Sequence, residues 1–326
     1  MCTAISFCPS GHYFGRTLDL EYHYNETVTV APRGFDFGFL AKPSLKKRYS
    51  IIGMATVADG YPLYYDAMNE KGLAAAGLNF PDNASYLPRA EADLRIAPFE
   101  FIPWVLSQCE SVDEAAELLK ATELEARNFS EAYPVTPLHW LISDKKRSIT
   151  VEPIADGLKI YENAVGVLTN NPPFPYHIHN LANYMNLTKC TPENRFGAPE
   201  TTPYSKGLGA FGLPGDLSSA SRFIRAAFVK TNSVCKAEKL DEINQFFHIL
   251  GSVEQQRGCV MPKDGEYEIT VYTSCADLDS GIYYYTTYDN RRINGVDIRS
   301  ENLDGTELSS FALLPPEAPY IQNSSV

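Results

Sequence analysis

Apolar and polar positions alternate with different periods along the chain, and the first change comes early. Residues 2–8 (CTAISFC) and 12–18 (HYFGRTL) are strand-length and mostly apolar, and Pro9-Ser10-Gly11 between them carries the Pro and Gly of a reversal. The pattern predicts an antiparallel pair with Cys2 at the very start of its first strand. Strands are also predicted at 27–31 and 50–57, then a hairpin in which YPLYYDAM turns through Asn69-Glu70-Lys71-Gly72 into LAAAGLNF. Two helices follow, PFEFIPWVLSQC and SVDEAAELLKA, the second opened by a capping box of Ser111 and Glu114. From residue 138 the pattern returns to strands: LHWLIS, SITVEPI, LKIYEN and VGVLTN. A helix over 176–187 and a Gly/Pro-rich connector over 199–216 lead to the helices SSASRFIRAAFVKTN and AEKLDEINQFFHILGSVEQQRG. Strands YEITVYTSC, GIYYYTTYDN and INGVDI close the chain.

Strands and helices therefore come in blocks, β, α, β, α, β, which predicts an α+β fold of antiparallel sheets faced by helix pairs, not alternating βαβ units. The first and last strand blocks need partners, and pairing them with each other closes residues 1–326 into a single domain. Neither a linker nor an internal repeat interrupts the chain.

Composition narrows the classes. With 326 residues, 44% of them hydrophobic, including 20 Tyr and 17 Phe, the chain can bury a large core. No apolar run approaches membrane length, and the first twenty residues reach Arg16 and Asp19 without a basic n-region. The expectation is a cytoplasmic protein with no membrane partner, in which the N-x-S/T triplets at Asn25, Asn83, Asn128, Asn186 and Asn323 carry no glycans. A net charge of −12 argues against nucleic acid as a partner. The seven cysteines lack C-x-x-C spacing, which excludes a zinc ribbon or a thioredoxin motif; most are expected to be reduced and buried.

Several motifs tempt and fail. Gly207-Leu208-Gly209-Ala210-Phe211-Gly212 matches G-x-G-x-x-G, but no strand precedes it and no helix opens at its end, so no pyrophosphate cradle is expected. The chain has no G-x-S-x-G, H-E-x-x-H or Walker loop. His177 and His179 are two apart and share no helix face, and His139 sits in an apolar strand; all three read as structural.

The second residue is different. Once Met1 is removed, Cys2 carries a thiol and a free α-amine, which puts nucleophile and base in one residue. An α-amine titrates near pH 8, so a useful fraction is neutral at pH 7, whereas a lysine near 10.4 is not. The predicted hairpin brings Arg16 and Asp19 beside it, a cation to favour the thiolate and a carboxylate to hold the amine.

With these residues in view, MCTAISF, FGRTLDLEY, NEKGLAAAGLNF, LHWLISD, VLTNNP, LPGDLSSASRFIR, QFFHIL and YTSC…GIYYYTTYDN, taken in order, resemble the choloylglycine hydrolase family of N-terminal nucleophile hydrolases over nearly the whole chain. The resemblance implies a four-layer αββα sandwich and cleavage of a linear amide by Cys2, with no metal or cofactor. It adds Asn79 and Asn170 as oxyanion-hole residues and Arg222 as a further active-site cation. It implies conjugated bile acids as substrates, losing glycine or taurine, in a homotetramer. Penicillin V acylase chemistry and a catalytically silent amphipath-binding member are the alternatives; Asn79 favours bile acids, because penicillin-cleaving relatives generally carry tyrosine there. The positions matching the steroid pocket are Leu18, Tyr22, Ala58, Phe129, Tyr133 and Leu138, with Ala58 replacing the bulky aromatic of some members.

Overall fold

The Pro9-Ser10-Gly11 turn closes a hairpin in the computed structural model, which describes residues 1–41, 48–88, 94–197 and 199–323. Strand β1 (Cys2–Phe7) pairs antiparallel with β2 (Tyr13–Leu20), so that Cys2 stands opposite Leu18 and Ala4 opposite Arg16. Then follow β3 (Thr27–Ala31), β4 (Ile51–Ala58), β5 (Tyr61–Asn69) and β6 (Ala74–Asn79). A three-residue β7 (Leu94–Ile96) precedes helices α1 (Phe101–Leu106) and α2 (Val112–Lys120) and pairs in parallel with β8 (Thr122–Leu124). Next are β9 (Leu138–Ser143), β10 (Ser148–Ile154), β11 (Gly157–Glu162), the two-residue β12 (Val167–Leu168) and α3 (Phe174–Asn180). The chain continues through α4 (Ser219–Asn232), α5 (Lys239–Gly251), β13 (Ile269–Asp277), β14 (Ile282–Thr287), β15 (Asn294–Asp297) and β16 (Ser309–Ala312).

Two antiparallel sheets result, ordered β12-β1-β2-β13-β14-β15 and β11-β10-β9-β6-β5-β4-β3-β16. The first and last strand blocks meet where β2 pairs with β13. That contact tolerates no side chain at Gly15, where a Cβ would come within 2.1 Å of the Ser274 carbonyl oxygen. Helices α4 and α5 pack on β1, β2 and β13, and α1 packs on β5 and β6, giving four layers of helix, sheet, sheet and helix.

Burial on both faces explains why the central strands read as unbroken apolar runs. On the eight-stranded sheet Met68, Ala74, Ala76, Leu78 and Leu141 point into the core shared with the other sheet. Their neighbours Ala67, Leu73, Ala75, Trp140 and Ile142 point the other way, into a second core with α1 and α2, where Phe101 stacks on Trp140 at 3.8 Å.

Some elements differ from expectation. Helix α5 stops at Gly251, not near 258, because the Gln255 backbone leaves the helix to bond Thr270 through both its N–H and its carbonyl. The helix expected over 176–187 begins at Phe174 and gives way to a tighter turn at Leu181–Tyr184. Glu114 does not complete the capping box on Ser111: its carboxylate accepts from the Glu110 N–H at 2.8 Å, while Ser111 Oγ accepts from the Glu114 N–H. All seven cysteines are unpaired, but only Cys2, Cys109 and Cys275 are buried; Cys8, Cys190 and Cys259 are exposed. No helix among the described residues is long and apolar enough to cross a membrane.

Candidate active site

Cys2 lies at the edge of a cavity of about 380 Å³ between the sheet ends, and its chain start is held on three sides. Its N–H donates to Asn170 Oδ1 at 2.8 Å, its carbonyl accepts from Arg222 Nη1, and the preceding Met1 carbonyl accepts from the Asp19 N–H at 2.9 Å. Met1 thus continues the β1–β2 pairing by one residue. Its ammonium donates to the Asp19 carbonyl at 2.7 Å and pairs with the Glu268 carboxylate.

Arg16 and Asp19 stand three residues apart on β2, so strand alternation turns them to opposite faces, Arg16 toward the eight-stranded sheet and Asp19 to the face it shares with Thr17. Arg16 is 1% exposed; its guanidinium donates to the carbonyls of Thr17, Tyr65 and Gly77. Burial opposes its charge, but Cys2, Tyr272, Asp66 and Asp19 more than offset that, so its proton is held more tightly than usual. Asp19 is fully buried and accepts from Thr17 Oγ1 at 3.1 Å and Thr270 Oγ1 at 2.7 Å. Burial raises its proton affinity, against the opposing pull of the Met1 ammonium and Arg222.

Asn170 is at the crossing of five bonds, four of them through its side chain and N–H. Its Oδ1 accepts from the Cys2 N–H and from Arg222 Nη2 at 2.7 Å, its Nδ2 donates to the Asn79 carbonyl at 2.7 Å, and its N–H donates to Ser219 Oγ at 2.9 Å. One Nδ2 hydrogen remains after the Asn79 bond. Asn79, at the last residue of β6, lines the cavity with its side chain exposed. Arg222, fully buried on α4, also donates to Thr3 Oγ1 at 2.7 Å, so it braces the β1 start from behind and does not line the cavity.

Two neighbours were not singled out as functional from sequence. His139, stacked on Phe80 at 4.2 Å, donates through Nε2 to the Thr169 carbonyl at 2.8 Å and meets Glu152 through Nδ1 at 3.1 Å. It therefore fixes the residue after Asn79 and the residue before Asn170 at once. His177, which burial brings down to about 4, donates through Nε2 to the Asn170 carbonyl at 3.0 Å. The signal available in sequence was a histidine within an apolar strand, and its partner Glu152 is thirteen residues distant.

Of the pocket positions expected from sequence, Leu18, Phe129, Tyr133 and Leu138 line the cavity. Tyr22 and Ala58 do not. Tyr22 is 53% exposed, its ring beside Tyr24, and it is Tyr24 that reaches the cavity; Ala58 ends β4, beyond the cavity rim. Phe99, Ile102, Trp140 and Arg127 also line it, so the Arg127 guanidinium faces a largely apolar chamber that ends at Cys2, Arg16 and Asp19. Such an arrangement suits an elongated apolar acyl group whose reactive carbon reaches the sulfur. Among the described residues no cluster of three or more His, Cys, Asp or Glu is placed to hold a metal ion.

A model of linear amide C–N hydrolases, choloylglycine hydrolase family, matches residues 2–311. The chain is 50% identical to a bile salt hydrolase/transferase of Lactiplantibacillus plantarum over 99% of this chain and 100% of the relative. It is 40% identical to a bile salt hydrolase/transferase of Clostridium perfringens, over 95% and 96% of the two chains. A variant of conjugated bile acid hydrolase from C. perfringens superposes with a TM-score of 0.89 at 38% identity, covering 99% of this chain and all of the other. Penicillin V acylase from Agrobacterium tumefaciens shares the fold, at a TM-score of 0.75 and 20% identity over 95% and 90% of the chains.

Proposed function

Because the chain belongs to the choloylglycine hydrolase family of linear amide C–N hydrolases, we propose that it is a bile salt hydrolase that releases glycine or taurine from conjugated bile acids. The observation that carries this reading is the apolar chamber closed at one end by Cys2, Arg16, Asp19 and Asn79. Steroid surface buried there contributes about 25 cal/mol per Å², which lets the apolar part dominate recognition.

In this reading Met1 is removed and the nitrogen now bonded to Asn170 Oδ1 becomes the α-amine. It takes the thiol proton, and the Cys2 sulfur attacks the amide carbonyl carbon. The developing oxyanion lies against the side-chain N–H groups of Asn79 and Asn170, uncharged donors that lose no proton. As the C–N bond breaks, the ammonium returns the proton to the departing amine. Water, deprotonated by the same amine, then hydrolyses the thioester and restores the thiol. Arg16 supports the negative sulfur, and Asp19, Arg222 and Thr3 hold the strand start. A thioester open to water is open to an amine as well, which is the transferase half of the relatives' names. The same reading extends to a cytoplasmic homotetramer, which sedimentation of the purified chain checks.

Comparing kcat/KM for glycocholate, taurocholate and penicillin V on the purified protein tests the substrate. Bile-salt turnover well above that of penicillin V is expected; the reverse order would make it a penicillin V acylase.

A further inference from the structure

Asp66, on β5, carries a carboxylate that is 1% exposed and faces the opposite sheet. It accepts hydrogen bonds from Tyr272 Oη at 2.6 Å, Tyr283 Oη at 2.7 Å and Ser274 Oγ at 2.8 Å, all from β13 and β14. Three hydroxyl donors satisfy a carboxylate and leave no bond that requires a proton on Asp66. Ser274 Oγ in turn accepts from the Arg16 backbone N–H at 3.0 Å. The Arg16 guanidinium reaches back across the sheets to the carbonyl of Tyr65, the residue before Asp66, at 3.2 Å.

Packing alone does not account for this. A carboxylate in a core is costly unless compensated, and apolar residues of the same volume serve stability at least as well. Among the described residues no carboxylate lies within salt-bridge distance of Arg16, yet Arg16 is buried and charged. The charges and titratable groups around it are Cys2 on β1, Asp19 on its own strand, Tyr272 on β13 and Asp66 on β5. Around Asp66 they are Arg16, Tyr272 and Tyr283. Arg16 thus feels both Cys2 and Asp66, which does not contact it; burial raises the proton affinity of Asp66, against the opposing pull of Arg16 and the three hydroxyl donors.

We propose that Asp66 is a positioning residue for amide cleavage: it fixes Arg16 between the sheets and offsets part of its charge, and so sets how strongly Arg16 draws on the Cys2 sulfur. The inference rests on Cys2 as the nucleophile. With Asp66 neutral, Arg16 acts on the sulfur uncompensated. The thiolate then forms at lower pH, but it is less nucleophilic and less well placed.

The test follows alkylation of Cys2 by iodoacetamide against pH, read on the N-terminal peptide by mass spectrometry, together with kcat and KM for glycocholate. In Asp66→Asn the alkylation profile should move toward acid by about one pH unit, with kcat down about tenfold and KM within about twofold. Tyr283→Phe should move it in the same direction by less, since loss of a donor raises the proton affinity of Asp66. Should Asp66→Asn fail to fold, Tyr283→Phe decides alone. Profiles that coincide with wild type overturn the inference even if kcat falls, because a packing defect lowers activity without moving an ionisation. A wild-type protein that leaves both glycocholate and penicillin V intact would remove the Cys2 premise instead, which keeps the two failures apart.

Discussion

Asn79 and Asn170 carry the same amide but stand in different surroundings, and the difference is measurable. Asn79 is exposed to the cavity, so Asn79→Ala should lower kcat by roughly 10²–10³-fold while leaving KM and thermal stability near wild type. Asn170→Ala should do that and also lower stability by about 1–3 kcal/mol, because the Cys2 N–H and Arg222 Nη2 lose their buried acceptor. Equal melting temperatures for the two variants, measured beside their kinetics, would contradict the division of roles. At this scale the sequence disclosed Cys2, Arg16 and Asp19, because a two-strand hairpin is a local object and its register can be read directly. Glu268, Thr270 and Asp66 reach the same site across some fifty to more than two hundred and fifty positions of chain, and no local pattern marks them.

Strand pairing in the six-stranded sheet depends on a missing side chain. Gly15→Ala would drive a Cβ into the Ser274 carbonyl, separating β2 from β13 and with them the platform of Arg16 and Asp19. Loss of soluble folded protein, or of all activity in whatever folds, is expected from expression and circular dichroism; a fully active Gly15→Ala enzyme would show that this contact yields. Elements with long periodic patterns were legible: β3, β9 and β10 fall on the residues predicted, and the helix carrying Arg222 begins one residue after its expected start. The three-residue β7 and β8 and the edge strand β16 were not, because such short segments have too few alternations to stand out and exist through partners distant in sequence. Tyr22 illustrates the same limit in the pocket: the position matches in sequence while the wall is built by its neighbour Tyr24.

Across the whole molecule, burial sets an acid sensitivity. His12 is 1% exposed, and burial brings it down to about 4; it is bonded through Nε2 to Ser6 at 3.2 Å. Because its folded value lies below the unfolded one near 6.5, the folded state binds fewer protons, and stability present above pH 6.5 is lost as pH falls toward 4. The loss is on the order of 3 kcal/mol. Buried Asp19, Asp66 and Glu268, whose proton affinity burial raises, act in the opposite sense, so the difference between wild type and His12→Gln isolates the histidine. Urea unfolding at pH 7 and pH 4.5 should show a smaller acid loss for His12→Gln; parallel curves would contradict it. The layered α+β class was legible from block order alone, while the chamber between the sheet ends was not, since its wall joins β2, β5, β6, β9 and the loop around Phe129. That chamber matters through the atom at its end. Glycocholate turnover quenched in acid and mapped by mass spectrometry should show a chain that begins at Cys2 and carries a cholyl group on that residue's sulfur. Turnover by a chain that keeps Met1, or acyl mass on any other residue, would contradict the account.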